Sequence, residues 1–175
     1  MALLLSFIKK LNWRHILIHF LAIWSFITSF KYFSYLYDTR LFKIIIPGNS
    51  SAYLEAIKTQ KIFLTEIVDY AYVVNSSWLL GLLSACIISL VISLRKHWFW
   101  VNSLLSFLAV FIVNIILFKR GHPEGYFAAI YNNPIPLSVT TSMIIGLLCL
   151  TIGCWLFFSR FVNNFISTIT NTLAG

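Results

Sequence analysis

His15 and His19 stand four residues apart, a spacing that brings two imidazoles to one face of a helix. Such a pair could hold a metal or a haem, and His97 falls at the same expected membrane boundary. Zinc takes four ligands, or three protein ligands and a water. No carboxylate or thiol on that side completes such a set, so the histidines read as interfacial anchors. A second group combines His122 and Glu124 of "GHPEG" with Glu66 and Asp69 on the opposite side. Carboxylates and histidine are proton-transfer groups. No motif fixes their geometry, however, and the Pro and Gly neighbours mark a turn. Cys86, Cys149 and Cys154 fall in apolar stretches, where a thiol behaves as a small hydrophobe. The expectation is no catalytic residue, no cofactor and no metal.

The elements that would position these side chains are membrane spans. Of 175 residues, 59% are hydrophobic and 10% charged, against roughly 25% charged in soluble domains. That deficit excludes an ordinary soluble domain. Apolar stretches cover about 15–37, 70–94, 98–118 and 137–158, and about 20 helical residues cross a hydrocarbon core. Lipid offers the backbone no hydrogen bonds, so the spans must be helices. Lys31 lies near one span end and can snorkel. The first span exceeds a secretory h-region and precedes "SFKYFSYLYD", which has no small-x-small cleavage site, so it is expected to be retained. The expected fold is all-α: one polytopic membrane domain over 1–175, a four-transmembrane-helix bundle with an outer loop and helix extension. Outer loops cover 38–69 and 119–136, and the tail covers 159–175.

Lys9, Lys10, Arg14, Arg95, Lys96 and Arg160 form a basic face in short segments beside span ends, without an acid. Asp38, Glu55, Glu66, Asp69 and Glu124 all fall on the other side. The positive-inside bias then puts both termini in the cytoplasm. In the first outer loop "IIIPGNSS" reads as an extended segment and turn, with Ser50 or Ser51 as a helix cap. Leu54, Ile57, Leu64, Val68 and Ala71 follow at helical spacing. That helix is expected to continue unbroken into the second span.

Ser77, Gly81, Ala85, Ser89 and Ser93 place a small residue at every fourth position of that span. Ser142, Gly146, Cys149 and Gly153 form a weaker series in the fourth. Small residues let helix backbones approach closely in lipid, so both series read as helix-packing surfaces, within one subunit or between subunits. Asn102 and Asn114 are expected to hydrogen-bond to neighbouring helices. In the tail, Phe161, Phe165, Ile169 and Leu173 recur every fourth position among uncharged polar residues. A lipid-surface helix would carry Lys or Arg, so this stripe reads as a docking surface for a protein helix.

Between the interfaces no Asp, Glu, Arg or His is expected, and only Lys31 approaches the core, which argues against a proton relay or coupled transporter. One expectation is a non-enzymatic membrane subunit that contacts lipids, oligomerises and docks a cytosolic protein, without binding nucleic acid directly. The alternative is a pore, a channel or an accessory subunit of a membrane enzyme. By its four spans, its length and a sizeable outer loop before a small-residue second span, the chain resembles the membrane subunit of the Kiwa anti-phage defence system. That resemblance implies a homo-oligomer of the bacterial inner membrane that senses phage attachment or injection, with a cytosolic DNA-binding partner. It carries over no functional residue.

Overall fold

A computed structural model describes residues 10–45, 55, 57–59, 62–118 and 138–172. The helices are α1 (Trp13–Ser34), α2 (Thr39–Ile45), α3 (Leu64–Arg95), α4 (Val101–Phe118), α5 (Val139–Phe158) and α6 (Arg160–Thr172). No strand occurs among the described residues. Helices α1, α3 and α5 are long and apolar enough to cross a membrane, and α4 is a shorter apolar helix. The described residues are all-helical, and the chain is a helical membrane protein.

Helix α1 is the centre, packed extensively against α5, α3 and α4, whereas α3 and α5 barely touch. Side-chain pairs give the register. Ser93 meets His15 and Ser89 meets His19, while a Cβ on Gly81 would lie 2.9 Å from Ile27 Cα. As numbers fall on α3 they rise on α1, so the two helices are antiparallel. Gly146 faces Phe33, and Gly153 faces Phe26, so α5 is antiparallel to α1 as well. Asn102 bonds to Asn12 and Ser106 to the Ile16 carbonyl oxygen, which makes α4 parallel to α1.

At the far end of α1, the Asp38 carboxylate accepts from the amides of Arg40 and Leu41 and caps α2. Leu41, Phe42 and Ile62 then pack with Tyr35, Ile67, Tyr70 and Val74 in a small separate core. Tyr70 donates to the Tyr35 carbonyl oxygen at 3.0 Å. The outer helix does not run unbroken into α3. Phe63 is extended (φ −90°, ψ 146°), and the Glu66 carboxylate accepts from its amide at 3.0 Å. The break lets Ile62 turn into the outer core, where it is 2% exposed. The "IIIPGNSS" segment from Ile46 on, with the Ser50 and Ser51 caps, lies outside the described residues, and Ile44 and Ile45 end helix α2 rather than form an extended segment.

Helix α3 ends in a Schellman turn. The Trp98 amide donates to the Ser93 carbonyl oxygen at 2.9 Å, and the His97 amide to that of Leu94 at 3.2 Å. His97 occupies the left-handed position usually held by glycine, with φ 54°. The reversal folds Trp98 back against α1, its ring 5.0 Å from that of His15.

Candidate functional site

Two groups were legible as possible chemistry: the histidines of α1, and the set of Glu66, Asp69, His122 and Glu124. A third, the basic end of the bundle, was legible as a possible docking face. His122 and Glu124 lie outside the described residues. His15 and His19 are 1% and 0% exposed. They face the bundle interior rather than the lipid boundary, so the interfacial-anchor reading is corrected. The reason lies on other helices. His19 Nδ1 and Ser89 Oγ share a hydrogen bond of 2.6 Å. His15 Nε2 lies 3.2 Å from Ser93 Oγ and 3.3 Å from Ser103 Oγ, which are themselves 2.7 Å apart. In hydrocarbon an unpaired polar group is costly, and these serines give the imidazoles partners.

The arrangement has the pieces of a nucleophile and base but not their setting. Its serines and histidines are all fully buried, and no carboxylate among the described residues orients either ring. His19 Nε2 has no hydrogen-bond partner among the described residues, and the ring packs edge-on against Phe157, with ring centres 5.3 Å apart. No group of three His, Cys, Asp or Glu side chains that could hold a metal occurs among the described residues. The cluster therefore joins α1, α3 and α4 by hydrogen bonds. His97 is apart from it, exposed in the turn.

The small-residue stripe leads into this cluster. Ser77, Gly81, Ala85, Ser89 and Ser93 are all buried on the inner face of α3. The helix lying in the groove at Gly81 is α1 of the same chain, with Ile27 Cα and Phe26 O in contact range. On α5, Gly146 and Gly153 leave room for the rings of Phe33 and Phe26. Ser29 Oγ donates to the Gly146 carbonyl oxygen at 2.8 Å. Cys149, on the same side of the helix by spacing, is only half-buried.

At the basic end, Lys10 precedes α1 and Arg14 stands in its first turn, Arg95 ends α3 with Lys96 as its cap, and Arg160 begins α6. The antiparallel register collects all five at one end of the bundle, without an acid among the described residues there. Asp38, Glu66 and Asp69 lie at the opposite end, where Arg40 Nη2 is 2.7 Å from Glu66 Oε1. Lys9 lies outside the described residues.

Ser159, extended at φ −64° and ψ 128°, separates α6 from α5. The edge of α6 against the bundle is formed by Val162 and Ile166, 5% and 1% exposed. Phe161 and Phe165 stay exposed beside it. Ile169 continues the helix, but its side chain and Leu173 lie outside the described residues. Two residues of the α1 start hold α6. Asn12 Nδ2 donates to the Ile166 carbonyl oxygen at 2.9 Å, and the Arg14 guanidinium sits 4.3 Å from the centre of the Phe165 ring.

Asn12 and Ser103 were not singled out in the sequence. Their signal was faint: a polar residue just before an apolar run, and a serine beside Asn102. Asn102 accepts from the Asn12 amide at 3.2 Å. Asn114, by contrast, is buried with neither side-chain amide atom bonded among the described residues, so it makes no bond there to a neighbouring helix. Compared with protein-family models, curated proteins and solved structures, the chain matches none.

Proposed function

We propose that this chain is a non-enzymatic subunit of a bacterial inner membrane, crossing it four times with both termini in the cytoplasm. Its work is to dock an acidic cytosolic protein on the basic end of the bundle. The observation that carries this reading is the collection of Lys10, Arg14, Arg95, Lys96 and Arg160 at one end, with no acid beside them among the described residues. Such a surface holds a positive potential and favours an acidic partner. The 18-residue apolar α4 supports a fourth span, since it packs beside α1 and α3. Assembly into a homo-oligomer and a sensing role in anti-phage defence belong to the same proposal. They draw on the likeness in outline to the Kiwa membrane subunit.

A pore within one chain has less support, because α1 fills the centre and Ala22 and Ile23 on it are fully buried. The experiment is purification from native membranes in mild detergent, followed by mass spectrometry. A stoichiometric soluble protein that is lost on Arg95→Glu with Lys96→Glu is the expected result. Co-purification unchanged by that double reversal overturns the docking site. A reporter active only in the cytoplasm, fused after Gly175, tests the orientation and must be active.

A further inference from the structure

Helix α6 has two apolar edges, and the bundle uses only one. Val162 and Ile166 are buried against the bundle, whereas Phe161 is 74% and Phe165 46% exposed. Covalent geometry limits what can cover those two rings. Only Ser159 separates Phe158, the last residue of α5, from Arg160. An extended residue adds at most about 3.6 Å, so Phe161 sits within a short reach of the point where α5 leaves the hydrocarbon.

An apolar edge at that depth meets the lipid interface. What α6 lacks by itself is positive charge, because Arg160 is its one basic residue, and interfacial helices draw on cations at the headgroups. The fold supplies the missing charge from α1. Arg14 lies over the Phe165 ring at 4.3 Å, and its Nη1 is 3.5 Å from the Phe165 carbonyl oxygen. Exposed Trp13 at the same end of α1 and Trp100 beside the start of α4 are the amphipathic rings that settle at headgroup level.

We propose that α6 lies in the headgroup layer of the leaflet at the basic end, with Phe161 and Phe165 among the acyl chains and Arg14 and Arg160 on the phosphates of anionic phospholipid. The tail stripe is thereby a membrane anchor built from two helices. It does not depend on partner docking at Arg95 and Lys96, which belong to the end of α3 rather than to α1 or α6. A soluble protein or a second copy would have to displace lipid that the chain's own span keeps beside the stripe.

The test is amide hydrogen exchange of the full-length protein in nanodiscs of phosphatidylcholine, with and without phosphatidylglycerol. Exchange in α6 should slow when phosphatidylglycerol is present, and high salt should reverse the gain. Phe161→Ser with Phe165→Ser should remove the gain while leaving exchange in α1, α3 and α5 unchanged. Arg14→Gln should cut the lipid response about fivefold, the weight of one basic residue near an anionic surface. Equal exchange in both lipids overturns the proposal, as does equally slow exchange in detergent with no phospholipid. Slow exchange that appears only on adding a soluble protein, or only in cross-linked dimers, also overturns it and assigns the stripe to that occupant.

Discussion

Asn12 Nδ2 donates to the carbonyl oxygen of Ile166 at 2.9 Å, joining residues 154 positions apart. The same side chain caps α1, its Oδ1 accepting from the His15 amide at 3.1 Å. One residue therefore starts the central helix and tethers the last. Asn12→Asp keeps the capping oxygen and loses the donor to Ile166. Amide exchange should rise in α6 and stay unchanged in the first turn of α1. Asn12→Ala removes both and should cost about 1 kcal/mol more through the lost cap, read from thermal unfolding in detergent.

The three buried helix glycines should not tolerate alanine equally. At Gly81 the new Cβ meets backbone, Ile27 Cα at 2.9 Å and Phe26 O at 3.1 Å. Backbone cannot turn aside, so Gly81→Ala should destabilise by roughly 1–3 kcal/mol. At Gly146 the obstacle is the half-buried Phe33 ring at 2.8 Å, which can rotate. Gly146→Ala should therefore be the milder change, and Leu83→Ala on the exposed face milder still. Melting temperatures of the variants check the order.

His19 and Ser89 should act as a unit. Ser89→Ala strands His19 Nδ1 in a fully buried site, at a cost of about 1–3 kcal/mol. His19→Leu removes the group that needed the serine. The double variant should be more stable than the sum of the two single changes implies, with a coupling of about 0.6 kcal/mol or more. Additive losses in a double-mutant cycle would remove the hydrogen bond's role.

His97→Gly should stabilise the protein by about 1 kcal/mol. The position already has φ 54°, a left-handed conformation that strains any side chain and suits glycine. The two Schellman bonds need only the backbone, so they survive the change. A lower melting temperature would mean that the exposed imidazole has a role of its own.

The outer core should loosen in acid. Its anchor is Glu66, in the first turn of a 32-residue α3 whose roughly 48 Å length exceeds the hydrocarbon core. The Phe63 amide and then the Arg40 guanidinium hold its carboxyl below the ordinary value. A carboxyl lowered on folding stabilises the fold above its unfolded value of 4.5, and that stability is lost as pH falls through the lower folded value. Amides of α2 and of the α3 start should exchange faster below that range. Glu66→Gln should abolish this pH dependence.

Composition and spacing by themselves determined that the chain is helical and belongs in a membrane. Runs of some 20 apolar residues leave the backbone no other way to satisfy itself in lipid. Spacing also marked where a close approach is possible, because Gly81, Gly146 and Gly153 each leave a helix face bare. It could not tell which backbone approaches. A missing side chain specifies room, not an occupant, and Ile27 carries no mark that it will lie against Gly81. The histidines show the same division. Their four-residue spacing put both rings on one face of α1, but the direction of that face was set by Ser89, Ser93 and Ser103 on other helices. The tail was legible as amphipathic, yet Val162 and Ile166, not the more prominent Phe161 and Phe165, became its packing edge. That choice depended on the extended Ser159 and on Asn12, far away in sequence, and only the folded chain brings the three together.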